Sequence, residues 1–399
     1  MSRPTLILNK GADRRLRLGH LWVFSNEIDT AKSPLKNLSA GEAVDVVSSA
    51  GDYLGSGYAN PATLISVRLL STSRENESDR GDLNKLLDSR LQAAHALRLS
   101  LYKDPWYRLV HAEGDRLPGL IVDRYDDTLI VQISTAGMDQ HKGDICQRLA
   151  ELTGCKNIRL ANNLAARELE NLPVEEETIM GELPAELVVK ENGCDYRVPA
   201  SGGQKTGWYY DHRENRAIAA KHADGKRVLD VFCYTGAWSM PAAIAGAEQV
   251  VAVDSSQKAM AALAENAKRN GVDGKLEAIT GDAIETLKQL HADSRRFDVV
   301  ILDPPAFIKR KKDLKNGMQH YEVLNRLACR LVAENGILIT ASCSQALGDA
   351  DLLQIARRSA AKRGLELQVL NRLSQAPDHP ALAGVPESFY LNGLVARLC

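Results

Sequence analysis

From about Gly193 the chain repeats one pattern, a short apolar run followed by an amphipathic stretch; the runs read "RVLDVF", "QVVAVD", "FDVVILD" and "GILITAS". Strands that are apolar on both sides need cover on both faces, and strands spaced by helices run parallel, so the pattern predicts a parallel α/β sheet over 193–399. Ligands of such open sheets sit outside the carboxyl ends of the strands, which makes those ends the place to look for chemistry.

The first run leads into "CYTGAWS", whose single glycine is Gly236. A dinucleotide fingerprint needs several glycines so that backbone can approach a pyrophosphate, and here one glycine shares the turn with bulky residues. A phosphate-free cofactor such as S-adenosylmethionine does not require that approach. The second run ends on Asp254, where a carboxylate can accept from both ribose hydroxyls; "GDA", 281–283, offers Asp282 and Ala283 to an adenine edge; the fourth run ends in "DPPAF", 303–307. This set, over about the last 200 residues, resembles the class I S-adenosylmethionine-dependent methyltransferases, which have a Rossmann-like fold. Carried over by position, the resemblance implies that Asp230, Tyr234 and Gly236 shape the methionine pocket, Asp254 holds the ribose and Asp282 the adenine. Upstream, "GQKTGWYYDHRENR" supplies Lys205, Thr206, Gly207, Tyr209, Asp211 and Arg213, and looks like a segment that closes over the cofactor. The alternative is a hairpin end with a helix cap at Asp211.

At 399 residues, 44% of them hydrophobic, the chain is too long for one ordinary core. Residues 1–72 alternate apolar and polar in short runs between turns, which predicts a small β-domain. The polar stretch "STSRENESDRGD", 71–82, reads as a linker. In 73–192 a helix with Leu83, Leu86, Leu87, Leu91, Ala94, Leu97 and Leu101 on one face precedes "GLIVDRY" and "TLIVQIS", a hairpin within a mixed α+β domain. "HAEGDRLPG", 111–119, reads as turn scaffolding. With 50 basic and 51 acidic residues, no global field draws the protein to nucleic acid or an anionic membrane. No stretch approaches a membrane span or a signal peptide, so a cytoplasmic protein with no membrane partner is expected. The seven cysteines show no metal or redox spacing and read as free thiols.

One of them stands apart. "GILITASCS" ends on Cys343 between two serines, and its strand follows the "DPP" strand through a helix with Leu314, Met318, Tyr321, Leu324, Leu327 and Leu331 on one face. A right-handed crossover brings the two strand ends together, so Cys343 is expected near Asp303. Carbon 5 of cytosine is too weak a nucleophile for a methyl sulfonium until a thiolate adds to carbon 6; Cys343 fits that need, with Asp303 holding the protonated edge of the base. Cys233, beside the cofactor, reads as structural. Without Cys343, "DPPAF" would favour methylation of an exocyclic amine of guanine or adenine, with the aromatic stacked on the base.

The whole chain resembles the bacterial large-subunit 23S ribosomal RNA cytosine-5 methyltransferases, which carry an N-terminal β-barrel PUA domain. The stretches that carry the likeness are "KGADRRLRLGHLWVFSNEI", "GDRLPGLIVDRY", "KTGWYYDHRENR", "DVFCYTGAWS", "DPPAF", "SCS" and "APDHP". The resemblance implies methylation of one cytosine in 23S RNA, naked or in an assembling subunit, with Cys343 as nucleophile. Related RNA enzymes have a second cysteine where this chain has Pro305, which leaves the carbon 5 proton without an assigned acceptor; Asp303 and His379 are the candidates. For RNA contact the candidates are Lys10, Arg14, Arg15, Arg17 and Trp22, and, in "KRKKDLK", Lys309, Arg310, Lys311 and Lys312. A non-catalytic RNA-binding assembly factor and a homodimer remain open at this point.

Overall fold

The computed structural model describes residues 3–75, 78, 80–200, 207–308 and 311–399, apart from the side chain of Lys311. The chain divides into two compact units. Of the described residues, those up to Ala185, with Ala200, Gly207, Trp208 and Pro377–Ser388, belong to the first; Glu186–Pro199, Tyr209–Ala376 and Phe389–Cys399 form the second.

In the first unit, strands Thr5–Ile7, Trp22–Phe24, Glu42–Val47, Tyr53–Ala59 and Ile65–Thr72 make one five-stranded sheet. Thr5–Ile7 pairs parallel with Glu42–Val47 and the other pairs are antiparallel. The last of these strands uses Ser71 and Thr72, both buried, so the polar stretch begins as sheet rather than as linker. A second five-stranded sheet follows from Trp106 to Met180, including the expected hairpin of Leu120–Tyr125 and Thr128–Ile133. Its core receives Leu86, Leu87, Leu91 and Ala94 from the helix Leu83–Leu101. Leu97 and Leu101, expected on that buried face, are instead 38% and 39% exposed. Arg98 takes the inner position, fully buried, with both terminal nitrogens on Asp115 at 2.6 and 2.7 Å and further bonds to the carbonyls of Arg108 and Asp378. A paired guanidinium can occupy a core site because every donor is satisfied. Asp115 lies in "HAEGDRLPG", so that motif is scaffold for a buried ion pair.

The second unit is built on seven strands: β1 Arg227–Val231, β2 Gln249–Asp254, β3 Leu276–Thr280, β4 Phe297–Leu302, β5 Val332–Ser342, β6 Leu367–Ser374 and β7 Asn392–Leu398. They lie in the order β3-β2-β1-β4-β5-β7-β6, parallel except for β7. The order turns back on itself at β1, next to β4, which is where an open sheet leaves a crevice at its carboxyl edge. Val and Leu of β1, β2, β4 and β5 form the core with Leu324, Leu327 and Leu331 of the helix Leu314–Leu331, while Leu314, Met318 and Tyr321 of the same expected face pack in a second cluster with Leu347 and Leu352.

Candidate active site

The turn after β1 is strained. Phe232 and Tyr234 take φ of +68° and +51°, and Gly236 takes +91°. A non-glycine residue in this region costs of the order of 1 kcal/mol and needs outside support. Asp254, at the end of β2, gives it: Oδ2 accepts from the Tyr234 N–H at 3.0 Å and Oδ1 from the Ser256 N–H at 2.9 Å. Asn266 adds a bond to the Thr235 carbonyl at 3.1 Å. A side chain at Gly236 would also meet the Met240 methyl at 2.9 Å. Cys233 is fully buried beneath this turn, in keeping with a structural role.

Asp230 is fully buried in β1. Its Oδ2 accepts from the Ser239 hydroxyl at 2.6 Å, and Oδ1 has no hydrogen-bond partner. Burial pushes the carboxyl up to about 7; Asp303 and Asp254 add to the rise and the Ser239 hydroxyl opposes it. An open acceptor buried at a strand end requires a donor from elsewhere. The amino group of S-adenosylmethionine is such a donor, so these residues fit that cofactor. Asp282 is exposed and caps the helix Ala283–Ala292 through the Glu285 N–H at 3.0 Å.

The segment before β1 divides. Lys205 and Thr206 lie outside the described residues, and Gly207, at φ +112°, falls in the first unit. Asp211 does not cap a helix; its Oδ2 accepts from the Tyr390 hydroxyl at 2.7 Å. Arg213 sits 3.5 Å from Glu191 and over the Tyr210 ring, so its charge is already matched. Tyr209 is held by its carbonyl, which accepts from Arg216, and its ring packs edge-on to Tyr234 at 5.8 Å.

Asp303 follows β4 directly, and β4 and β5 are parallel neighbours with Leu302 opposite Thr340. Two donors hold the Asp303 carboxylate: Trp238 Nε1 at 2.9 Å and His212 Nε2 at 3.3 Å. Asn215 donates to the Ser374 carbonyl and meets His212 Nδ1 at 3.1 Å. An amide nitrogen cannot accept, which assigns the imidazole proton to Nε2, facing Asp303. Burial pushes the Asp303 carboxyl up, but His212 and Trp238 outweigh it and hold it below the ordinary carboxylate value. Cys343, three residues beyond Thr340, is half-buried, whereas Ser342 and Ser344 on either side of it are buried. The Tyr209 phenol is pushed up by burial and then by Tyr234, Asp211, Asp303 and Cys343. His212 and Trp238 are not among the residues expected from sequence. Only the position of His212 beside Asp211 in "YYDH" offered a signal.

The RNA candidates fare unevenly. Arg15 is paired with Glu27 through both carboxylate oxygens, Arg17 with Asp13 and Asp52, and the Trp22 indole N–H with Glu113. These contacts lie within the first unit, and the Arg15 and Arg17 side chains remain 38% and 51% exposed. Lys10 and Arg14 are exposed. Lys309, Arg310 and the Lys311 side chain lie outside the described residues, and Lys312 is exposed. His379 is buried in the first unit, bonded to Asp378 and packed against His111.

The strand order, the strained turn braced by Asp254 and the open Asp230 together define a class I S-adenosylmethionine-dependent methyltransferase. Residues 173–391 match the family described as S-adenosylmethionine-dependent methyltransferase, and 6–72 match the PUA-like domain. "Ribosomal RNA large subunit methyltransferase I" of Tolumonas auensis is 36% identical over 98% of this chain and 99% of its own length; that of Shewanella amazonensis is 38% identical over 98% of each. The chain belongs to that family. In fold, a chain from Streptococcus mutans whose suggested role is SAM-dependent methyl transfer superposes with a TM-score of 0.82 at 21% identity, over 99% of this chain and all of that one. SMU.776, crystallised with SAH, gives 0.83 at 21% identity over the same shares. No helix among the described residues is long and apolar enough to cross a membrane.

Proposed function

We propose that the protein methylates ribosomal RNA of the large subunit, as its relatives' names state of them, and that the target is carbon 5 of a cytosine in 23S RNA, activated by Cys343. Addition of the Cys343 thiolate to carbon 6 moves electron density onto carbon 5. S-adenosylmethionine, when bound, supplies an electrophilic methyl group. Asp230, Tyr234 and Gly236 hold its methionine end, Asp254 its ribose, and Asp282 with Ala283 its adenine. Asp303, kept ionised by His212 and Trp238, accepts from the protonated edge and exocyclic amine of the ring and so favours the adduct. Loss of the carbon 5 proton then returns its electron pair to the ring as the carbon 6–sulfur bond breaks and Cys343 leaves. Pro305 stands where related enzymes have a cysteine, and Asp303 is the candidate acceptor for that proton once the amine edge is released. Among the described candidates, Lys10, Arg14, Arg17 and Lys312 are exposed and suited to RNA phosphates.

The observation that carries the reading is that Asp303 and Cys343 follow the carboxyl ends of adjacent parallel strands, paired up to Leu302 opposite Thr340. The amine-methylation reading draws less support, because Phe307 is already stacked on His320 at 5.4 Å and set edge-on to Tyr321 at 5.1 Å. RNA containing 5-fluorocytidine tests the proposal, since fluorine cannot leave as a proton does. A covalent protein–RNA adduct is expected with the wild type and not with Cys343→Ser. Methyl transfer to 23S RNA without any adduct would overturn the cysteine mechanism.

A further inference from the structure

The two serines beside Cys343 have a shared partner. In an extended chain residues i and i+2 face the same way, and Ser342 and Ser344, 0% and 1% exposed, both turn to the hydroxyl of Tyr321. Ser342 Oγ donates to Tyr321 at 2.8 Å, and Tyr321 and Ser344 Oγ are 3.0 Å apart. Since Ser342 spends its one proton on the phenol, the phenol proton goes to Ser344. The Ser344 N–H closes the ring on Ser342 Oγ at 3.1 Å. Ser344 Oγ also accepts from the Ile308 N–H at 3.2 Å, in the loop that begins with "DPPAF". Tyr321 is fully buried on the helix Leu314–Leu331, and its ring lies against Phe307 of the same loop.

We infer that Tyr321 is a positioning residue for the reaction: through Ser342 and Ser344 it fixes the backbone on both sides of Cys343, and through Ser344 and Ile308 it locks that segment to the loop carrying Asp303. The hydroxyls occupy the buried side of the strand end, which leaves the intervening thiol on the other side. This is why a thiol stands between two hydroxyls. Burial pushes the phenol up, and its bonds to the two serines oppose that rise. The group therefore serves as a neutral donor and acceptor, with no proton-transfer part.

The inference rests on Cys343 being the nucleophile, and the experiment separates the two. Tyr321→Phe keeps the ring against Phe307 and removes only the hydroxyl. The rate of covalent trapping by 5-fluorocytidine RNA and the rate of iodoacetamide labelling at Cys343, read by peptide mass mapping, are compared with wild type alongside S-adenosylmethionine binding. Cofactor affinity and the KM for RNA are expected to stay within about twofold, while kcat and trapping fall by about 10- to 100-fold, the range for a misplaced reacting group. Ser344→Ala is expected to reproduce the loss, and the double variant to add little to it, because the three hydroxyls act as one network. Trapping at the wild-type rate in Tyr321→Phe overturns the inference. No trapping in the wild type overturns the nucleophile reading instead. If Tyr321→Phe fails to bind cofactor, Ser342→Ala and Ser344→Ala carry the same comparison, and undiminished trapping in both rejects it.

Discussion

The first unit and the carboxyl edge of the second unit's sheet treat buried polar groups in opposite ways. In the first unit Arg98 meets Asp115, Arg108 meets Asp123 at 2.5 Å, Arg167 meets Asp139 at 2.8 Å and Arg68 meets Glu170 at 2.7 Å, each largely hidden from solvent. These charges are spent on one another. At the carboxyl edge of the second unit the pattern reverses: Asp230 keeps one oxygen open, Asp303 is left 21% exposed beneath two donors, and Cys343 stays half-buried. Charges spent on one another mark scaffold, whereas an open buried oxygen such as that of Asp230 marks a place that waits for a donor. Activity and stability should therefore separate cleanly between the units.

The largest effect is expected from Cys343→Ser. Turnover should fall by about 10³-fold or more, because the remaining hydroxyl is a poor nucleophile at neutral pH. Thermal stability and cofactor affinity, read by calorimetry, should barely change. Arg98→Ala should do the reverse. Removing one partner of a buried pair costs about 3–5 kcal/mol, so the melting transition should drop by many degrees, while isothermal titration with S-adenosylmethionine below that transition should match wild type. A stable Arg98→Ala protein that has lost cofactor binding would break the contrast.

The sheet was legible in the sequence because its strands are apolar on both sides, and the expected parallel strands reappear as β1, β2, β4 and β5. The fold class and the helix 314–331 follow from the same periodicity. What could not be read were pairings between distant residues. Leu97 and Leu101 fit a buried stripe as well as Arg98 does not, and only the distant Asp115 and Asp378 explain why the arginine lies inside. In the same way the ion pairs of Arg15 with Glu27 and of Arg17 with Asp52 join residues that the sequence does not bring together. At the site, the strand-end acids stand out by position, whereas His212, Trp238 and Tyr321 gain meaning only from what they touch.

An intermediate effect is expected at Asp230. Its carboxyl is raised from 3.8 to about 7 in the folded protein. Between those values the native state holds a proton that the unfolded chain has released, so the stability this group contributes is complete below 3.8 and is lost as pH rises through 7. Asp230→Asn removes the titration. Denaturant unfolding of the cofactor-free variant should show a flatter stability profile from pH 4 to pH 8, with the largest gain over wild type at the alkaline end. The same exchange replaces a charged acceptor by a neutral one and should weaken S-adenosylmethionine binding by about 10- to 100-fold, as for other hydrogen bonds to a charged group. Unchanged affinity would mean that the open oxygen does not face the cofactor.

The smallest effect tests the contrast within one stretch of the first unit. Lys10 and Arg14 are exposed, whereas Arg15 is already bonded to both oxygens of Glu27. A cation that meets a phosphate releases roughly one counterion, so each such contact adds about one to the slope of log affinity against log salt. Exchange of Lys10 and Arg14 for glutamine should lower that slope for 23S RNA by about 2, on this counting. Arg15→Gln should leave it nearly unchanged, because a guanidinium already neutralised by a carboxylate releases few of the cations condensed on the RNA. Filter binding at several salt concentrations reads both variants. Equal slopes for wild type and the Lys10, Arg14 double variant would move the phosphate contacts elsewhere, with Lys312 the next cation to exchange.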